Sequence, residues 1–146
     1  MSITVEAVSV IDAEPREVWD VLMDFDRYPE WSSHLLIAGE ARVGARLTVR
    51  LGGAGGMAIH PKVLVATPEV EFQWLGRLGL PGIVDGAHHF RLARRADGTT
   101  EFRHGEVYSG VVVSALRPLM RDAENPAAYA SFNAALKRRV ESMRRG

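Results

Sequence analysis

Three side chains that can carry protons, His88, His104 and Glu106, fall within GAHHFRLARRADGTTEFRHGEVYSG, residues 86–110, which otherwise reads as a strand, a tight turn and a second strand. A histidine beside a carboxylate can serve as a general acid–base pair, with the carboxylate orienting the imidazole. Two histidines and one carboxylate can also hold a metal ion. Either chemistry requires the three groups to share one face of a sheet. Side chains alternate along a strand, so His88, Phe90 and Leu92 lie on one face of the first strand, and Phe102, His104, Glu106 and Tyr108 on one face of the second. Register decides whether those two faces coincide. A two-residue turn at Asp97-Gly98 pairs Leu92 with Arg103 and mixes them. A three-residue loop, Ala96-Asp97-Gly98 with Gly98 left-handed, pairs Leu92 with Phe102, Phe90 with His104 and His88 with Glu106. That register is the expectation. Burying a carboxylate is costly unless it is paired or wet, so this face is expected to line a cavity that water or a ligand can enter.

Two uses of the polar group remain open. His88 and Glu106 are candidate catalytic residues for cyclisation or dehydration of a small keto compound. They can equally be a hydrogen-bonded pair that shapes a pocket and orients its ligand, as a few placed polar groups do in most binding sites. Adding His104 completes two histidines and a carboxylate, but no further shell is visible, so no metal and no other cofactor is expected. His88-His89 is not a chelating pair, because neighbours on a strand point to opposite faces.

The elements that must position these groups follow from the pattern. Residues 3–11 are rich in β-branched side chains and read as a strand. Pro15 suits the first turn of a helix whose apolar stripe is Val18, Trp19 and Leu22, with Trp19 expected in the core. DFDRYPEW, 24–31, ends that helix and leaves room for a second short one from Pro29. Strands are expected near 35–42, 46–52, 57–67 and 70–78, then the hairpin. His60 precedes Pro61 in a strand expected to be an edge or bulged, and its direction is left open. Asn125 is a good N-cap and Pro126 a good first residue for a helix carrying Tyr129, Phe132, Leu136, Val140 and Met143 at spacings of three and four. SALRPLMRDAEN, 114–125, is interrupted by Pro118 and is expected to form a helical turn and loop capping one end of the cavity.

A strongly bent antiparallel sheet of about seven strands around the C-terminal helix satisfies this order and leaves a pocket where helix and sheet diverge. Trp74, Phe90, Tyr108 and Phe132 are expected to line it. Trp31, Phe72, Phe102 and Leu136 are further candidates to touch a ligand, together with Leu116 and Met120 from the capping segment.

The composition excludes several classes. With 146 residues the chain is expected to be one domain, 1–146. Its 18 basic and 18 acidic residues balance, so nothing points to a polyanionic partner, and the basic tail Lys137-Arg138-Arg139 suits a helix C-terminus rather than nucleic acid. Cysteine is absent, which removes disulfides, thiol catalysis and thiolate metal sites. MSITVEAVSVIDAEP has neither a basic start nor an unbroken apolar run, so the expectation is a cytoplasmic protein without a membrane span. GGAGG, 52–56, lacks the Gly-Lys-Ser/Thr ending of a phosphate cradle and reads as a hairpin loop near the pocket mouth.

IDAEPREVWDVLMDFDRYPEW (11–31), PEVEFQWLGRL (68–78), GAHHFRL (86–92), TTEFRHGEVYSG (99–110) and SFNAALKRRVE (131–141) together resemble the START-like, or SRPBCC, helix-grip superfamily, and specifically its small bacterial polyketide cyclase/dehydrase branch, which is similar to the birch-pollen allergens. The resemblance implies an α+β helix-grip fold with two short helices after the first strand. It implies a small hydrophobic, aromatic or polyketide-like ligand and no metal. The same scaffold hosts carriers, sensors, cyclases and hydrolases, so the resemblance leaves open whether the chain only binds its ligand or also turns it over. A monomer or homodimer is expected.

Overall fold

The computed structural model describes residues 2–78, 80–119 and 125–145, without the side chains of Leu78 and Arg145. β1 (Ser2–Ile11) leads into α1 (Pro15–Met23), which Pro15 opens from its first turn and which buries Val18, Trp19 and Leu22. A short 3-10 helix, Phe25–Glu30, follows directly and contains Pro29 instead of starting from it. Tyr28 explains the difference. Its ring is fully buried and its hydroxyl donates to the Leu22 carbonyl at 2.8 Å, capping the last turn of α1 and folding the next residues back onto it. Tyr28→Phe strands that carbonyl without a partner, and urea unfolding is expected to show a loss of about 2 kcal/mol.

The strands form two sheets where one was expected. β2 (Leu35–Ala38), β3 (Thr48–Leu51) and β4 (Met57–Ile59) make a three-stranded sheet. β5 (Lys62–Thr67), β6 (Glu71–Leu78), β7 (Val84–Arg94) and β8 (Thr100–Ser109) join β1 in a five-stranded antiparallel sheet of order β1-β8-β7-β6-β5. Among the described residues the count is therefore eight, not about seven, because 57–67 is two strands. Pro61, lacking an N–H, breaks the run, and the chain turns a corner there. Backbone bonds from Leu47 N to Pro61 O (2.8 Å) and from Val63 N to Ala45 O (2.9 Å) tie the two sheets at that corner.

The β7–β8 hairpin has the expected register. Gly98 has φ +85° in a three-residue loop closed by Arg95 N to Thr99 O at 2.8 Å, and Asp97 Oδ1 accepts from the Thr99 amide at 3.0 Å. Leu92 pairs with Phe102, Phe90 with His104 and His88 with Glu106.

A short helix, α2 (Val113–Leu116), and a 3-10 turn, Arg117–Leu119, follow β8. The rest of the expected capping segment, Met120 included, lies outside the described residues. α3 (Ala127–Arg145) starts where Asn125 Oδ1 accepts from the Ala127 amide at 3.0 Å. It buries Phe132, Asn133, Leu136 and Val140 against the concave sheet, while Met143, expected in the same stripe, is exposed. Phe90 and Phe132 stack across that boundary with centroids 5.4 Å apart and planes 5° from parallel. No helix among the described residues is long and apolar enough to cross a membrane.

Candidate functional site

Alternation and register bring Trp74 of β6, His88 of β7, and Glu106 and Tyr108 of β8 to the same concave surface, and the first turns of α3 lay Tyr129 and Phe132 over them. Between them lies a cavity of about 540 Å³, closed on the far side by Leu35, Leu51 and Ile59 of the smaller sheet. That volume is in the range of small-molecule sites. Trp74 stacks flat on the His88 ring, with centroids 4.3 Å apart and planes at 7°, so the imidazole has an apolar neighbour on that face.

A chain of hydrogen bonds runs through the polar corner. Glu106 Oε1 lies 2.8 Å from His88 Nδ1, His88 Nε2 lies 2.7 Å from His104 Nε2, and His104 Nδ1 lies 3.2 Å from Asn133 Oδ1. Asn133 Nδ2 donates to the Ala7 carbonyl at 3.1 Å, which fixes its amide orientation, since the carbonyl can only accept. The protons can then be placed in turn. Asn133 Oδ1 accepts, so His104 Nδ1 donates. Burial, followed by the nearby charge of His88, holds the His104 pKa well below the usual histidine range, so that ring is neutral and its Nε2 bears a lone pair. His88 Nε2 must therefore donate. One proton is left for His88 Nδ1 and Glu106 Oε1 to share, and the pair carries no net charge wherever that proton sits.

The neighbouring acids follow from the same surroundings. Burial pushes the Glu106 carboxyl upward, but the His88 hydrogen bond and charge outweigh it and bring the pKa below the ordinary glutamate value. Burial, then the Glu106 charge, pushes the Tyr129 hydroxyl up to about 12, and the Tyr108 hydroxyl, beside both, higher still. Both phenols are thus neutral hydrogen-bond donors at the edge of a carboxylate.

On the outer face, His89 is fully buried and its Nε2 lies 2.8 Å from Glu6 Oε2, with burial again lowering its pKa. For His104 and His89 the neutral form is the one the fold favours. Above an unfolded value near 6.5, folded and unfolded states are both neutral and stability is complete. Below it only the unfolded chain binds the proton, so stability drains as pH falls, by up to about 1.4 kcal/mol per pH unit for each histidine. Urea midpoints are expected to fall steadily from pH 6.5 to 5.5, and His104→Gln should remove about half of that slope. A flat wild-type profile over this interval contradicts the assignment.

Of the residues expected to touch a ligand, Trp74, His88, His104, Glu106, Tyr108 and Phe132 line the cavity. Phe72, Phe90, Phe102 and Leu136 do not. They are fully buried where sheet and helix converge and the space between them is filled. Trp31 packs on Tyr28 and Phe132, with centroids 4.6 and 5.2 Å away, and faces a groove between α1 and α3 instead. Leu116 is half-buried on α2 and is not among the described lining residues. His60 is exposed, with Nδ1 3.3 Å from Thr48 Oγ1. The nitrogens of His88 and His104 point at each other instead of converging on a common point, and among the described residues no cluster is arranged to hold a metal ion. Tyr129 and Asn133 were missed. Both sit on the helix stripe, Asn133 four residues after Tyr129 and three before Leu136, so a polar residue inside the apolar spacing was the signal.

The sequence profile of a family described as polyketide cyclase / dehydrase and lipid transport matches residues 2–145. The chain belongs to that family. No curated protein is similar enough to count as a match. Among solved structures, protein MLL2253 from Mesorhizobium loti is 22% identical with a TM-score of 0.71, over 95% of this chain and 97% of its own. A norcoclaurine synthase point mutant from Thalictrum, in complex with a transition-state analogue, is 15% identical with a TM-score of 0.72, over 99% and 97%. A START superfamily protein from Mycobacterium smegmatis is 15% identical with a TM-score of 0.71, over 96% and 98%. These likenesses show a shared helix-grip fold. In this chain of the polyketide cyclase / dehydrase and lipid transport family, α3 is the gripped helix and Glu106 is the carboxylate presented to the cavity it covers.

Proposed function

We propose that this member of the family binds a small hydrophobic molecule, aromatic or polyketide-like, in the cavity between the five-stranded sheet and α3, acting as a single cytoplasmic domain. The observation that carries the reading is the distribution of polarity. Trp74, Phe132, Leu35, Leu51 and Ile59 offer an apolar wall, Glu106, Tyr108 and Tyr129 bring three hydrogen-bonding groups together at one corner, and His34, Asn125 and Ser131 add polar atoms elsewhere on the lining. Such a site takes a flat apolar body and orients it through one polar substituent. The fold-sharing norcoclaurine synthase, described in complex with dopamine and hydroxybenzaldehyde, supports a small aromatic occupant. Native mass spectrometry of freshly purified protein tests the reading. A co-purified small molecule that is lost on unfolding is the expected result. Absence of any adduct, together with failure of aromatic probes to quench Trp74, counts against it.

A second reading, a cyclase, aromatase or dehydratase, is favoured by one specific feature: a proton shared between His88 and a carboxylate that faces the cavity. In this chemistry Glu106 takes a proton from the carbon beside a ketone. The resulting carbanion attacks a second carbonyl of the same molecule, and the new alkoxide regains the proton from the Glu106 carboxyl. Loss of water follows when Glu106 takes the second proton from that same carbon, the carbon–carbon double bond forms, and the proton passes from Glu106 to the departing hydroxyl. His88 lowers the barrier to each transfer by holding the other carboxylate oxygen in a constant environment.

A further inference from the structure

Beside the chamber lies a second opening of about 370 Å³, and the two share Ile59, Trp74, Glu106 and Tyr108. It forms where β5 parts from β6. Their pairing ends at Lys62 and Leu75, whereas β6 runs on to Leu78 paired with β7. Gly76 and Gly86 face each other in that continuation. Alternation puts both on the concave surface next to Trp74 and His88, so the wall is bare where side chains would otherwise close the way out. A Cβ on Gly86 would stand 2.9 Å from Glu106 Oε2, which shows how near the passage runs to the carboxylate.

Three cations rim this opening: Arg46, Lys62 and Arg77. Asp85 lies 3.4 Å from Arg77 Nε and offsets one charge. Arg46 donates to the neutral His60 carbonyl at 3.1 Å, and among the described residues no ion pair offsets its charge. No ion pair to Lys62 occurs among the described residues. Glu106, the other acid at the opening, belongs to a pair with His88 that is neutral as a whole. A surplus of positive charge therefore stands at the opening beside the aromatic chamber, in a chain whose formal net charge is zero.

We propose that this opening is an anion subsite, and that the ligand is an amphipathic organic acid whose rings fill the chamber while its carboxylate, sulfonate or phosphate rests against Lys62, Arg77 and Arg46. The inference rests on the binding function proposed above and narrows the class of molecule bound. Charged hydrogen bonds at a partly enclosed rim, next to an apolar contact surface, give selectivity for acids over neutral molecules of equal size.

Two probes with the same rings separate the contributions: anilinonaphthalene sulfonate and its uncharged counterpart phenylnaphthylamine, each titrated by fluorescence. In the double variant Lys62→Gln/Arg77→Gln the sulfonate is expected to bind about tenfold or more weakly, with the neutral probe within about twofold. Lys62→Arg/Arg77→Lys, which keeps both charges, should retain sulfonate affinity. Equal loss for both probes, or no loss for the sulfonate, overturns the subsite while leaving the chamber as a binding site. Wild-type protein that binds neither probe overturns both. If the double variant keeps sulfonate affinity and loses only binding to phosphatidylglycerol vesicles, the cations face a membrane and the proposal fails.

Discussion

Glu106→Gln is expected to leave the fold intact and to weaken a cavity-bound ligand by about 1–3 kcal/mol, the worth of a charged hydrogen bond. If the protein turns its ligand over, the same change is expected to lower kcat by about 10²–10⁴-fold while affinity is nearly kept. The variant is clean because each ring nitrogen in the chain keeps a complementary partner. With His104 Nδ1 donating to Asn133 and His88 Nε2 donating to His104, the remaining His88 Nδ1 becomes a plain acceptor once no acid lies opposite. A glutamine amide donates to it from the position of Oε1, so every group in the chain stays satisfied and only the transferable proton disappears. His88→Gln interrupts the chain itself and should match the Glu106 variant in any turnover assay. Affinity and turnover are separate readouts, so the binding and catalytic readings make opposite predictions about which quantity moves. Should both variants keep full affinity and any activity found, the polar corner is wetted lining and neither reading of it survives.

Most of the site's frame was legible because strand alternation is strict. Once Gly98 was assigned the left-handed position of a three-residue loop, the pairing of His88 with Glu106 followed, and with it the concave face. What was not legible depends on how far apart sheet and helix stand at each point. Phe72, Phe90 and Phe102 share the face of Trp74 and Glu106, and nothing in the local pattern says that the cleft is filled at one end and hollow at the other. The three-stranded sheet was hidden because His60-Pro61 reads as an edge or a bulge within one strand, and nothing local marks it as a corner. The bonds that decide it come from residues 45 and 47, which are distant in the pattern. The relay escaped for a similar reason: its terminus, Asn133, is held by the Ala7 carbonyl of β1, 126 positions away.

Two glycines on these strands are expected to answer substitution in opposite ways. Glu6 pairs with Gly105 on one side and His89 pairs with it on the other, so the 2.8 Å contact between His89 and Glu6 crosses β8 at the one position without a side chain. An ideal Cβ on Gly105 would lie 2.2 Å from the Val5 carbonyl oxygen and 2.9 Å from the Glu6 Cα. Those atoms are backbone and cannot step aside without separating β1 from β8. Gly105→Ala should therefore break part of the β1–β8 pairing, which is as long as β7–β8, and strand the fully buried His89 ring, whose Nδ1 already lacks a partner among the described residues. The expected loss is about 3–5 kcal/mol, read as a shift of the urea midpoint, with the protein soluble only at low temperature if its total stability is of ordinary size. On Gly86 the same methyl meets the Glu106 carboxylate and the Tyr108 ring at 2.9 and 3.6 Å, both side-chain atoms that can swing away. Gly86→Ala should thus keep stability within about 1 kcal/mol, since flexible neighbours relax at small cost, yet displace Glu106 from its place between the two cavities. Ligand affinity, and turnover if there is any, should fall in Gly86→Ala without a matching change in the urea midpoint. A Gly105→Ala protein as stable as wild type would mean that β1 does not lie over Gly105 as closely as described.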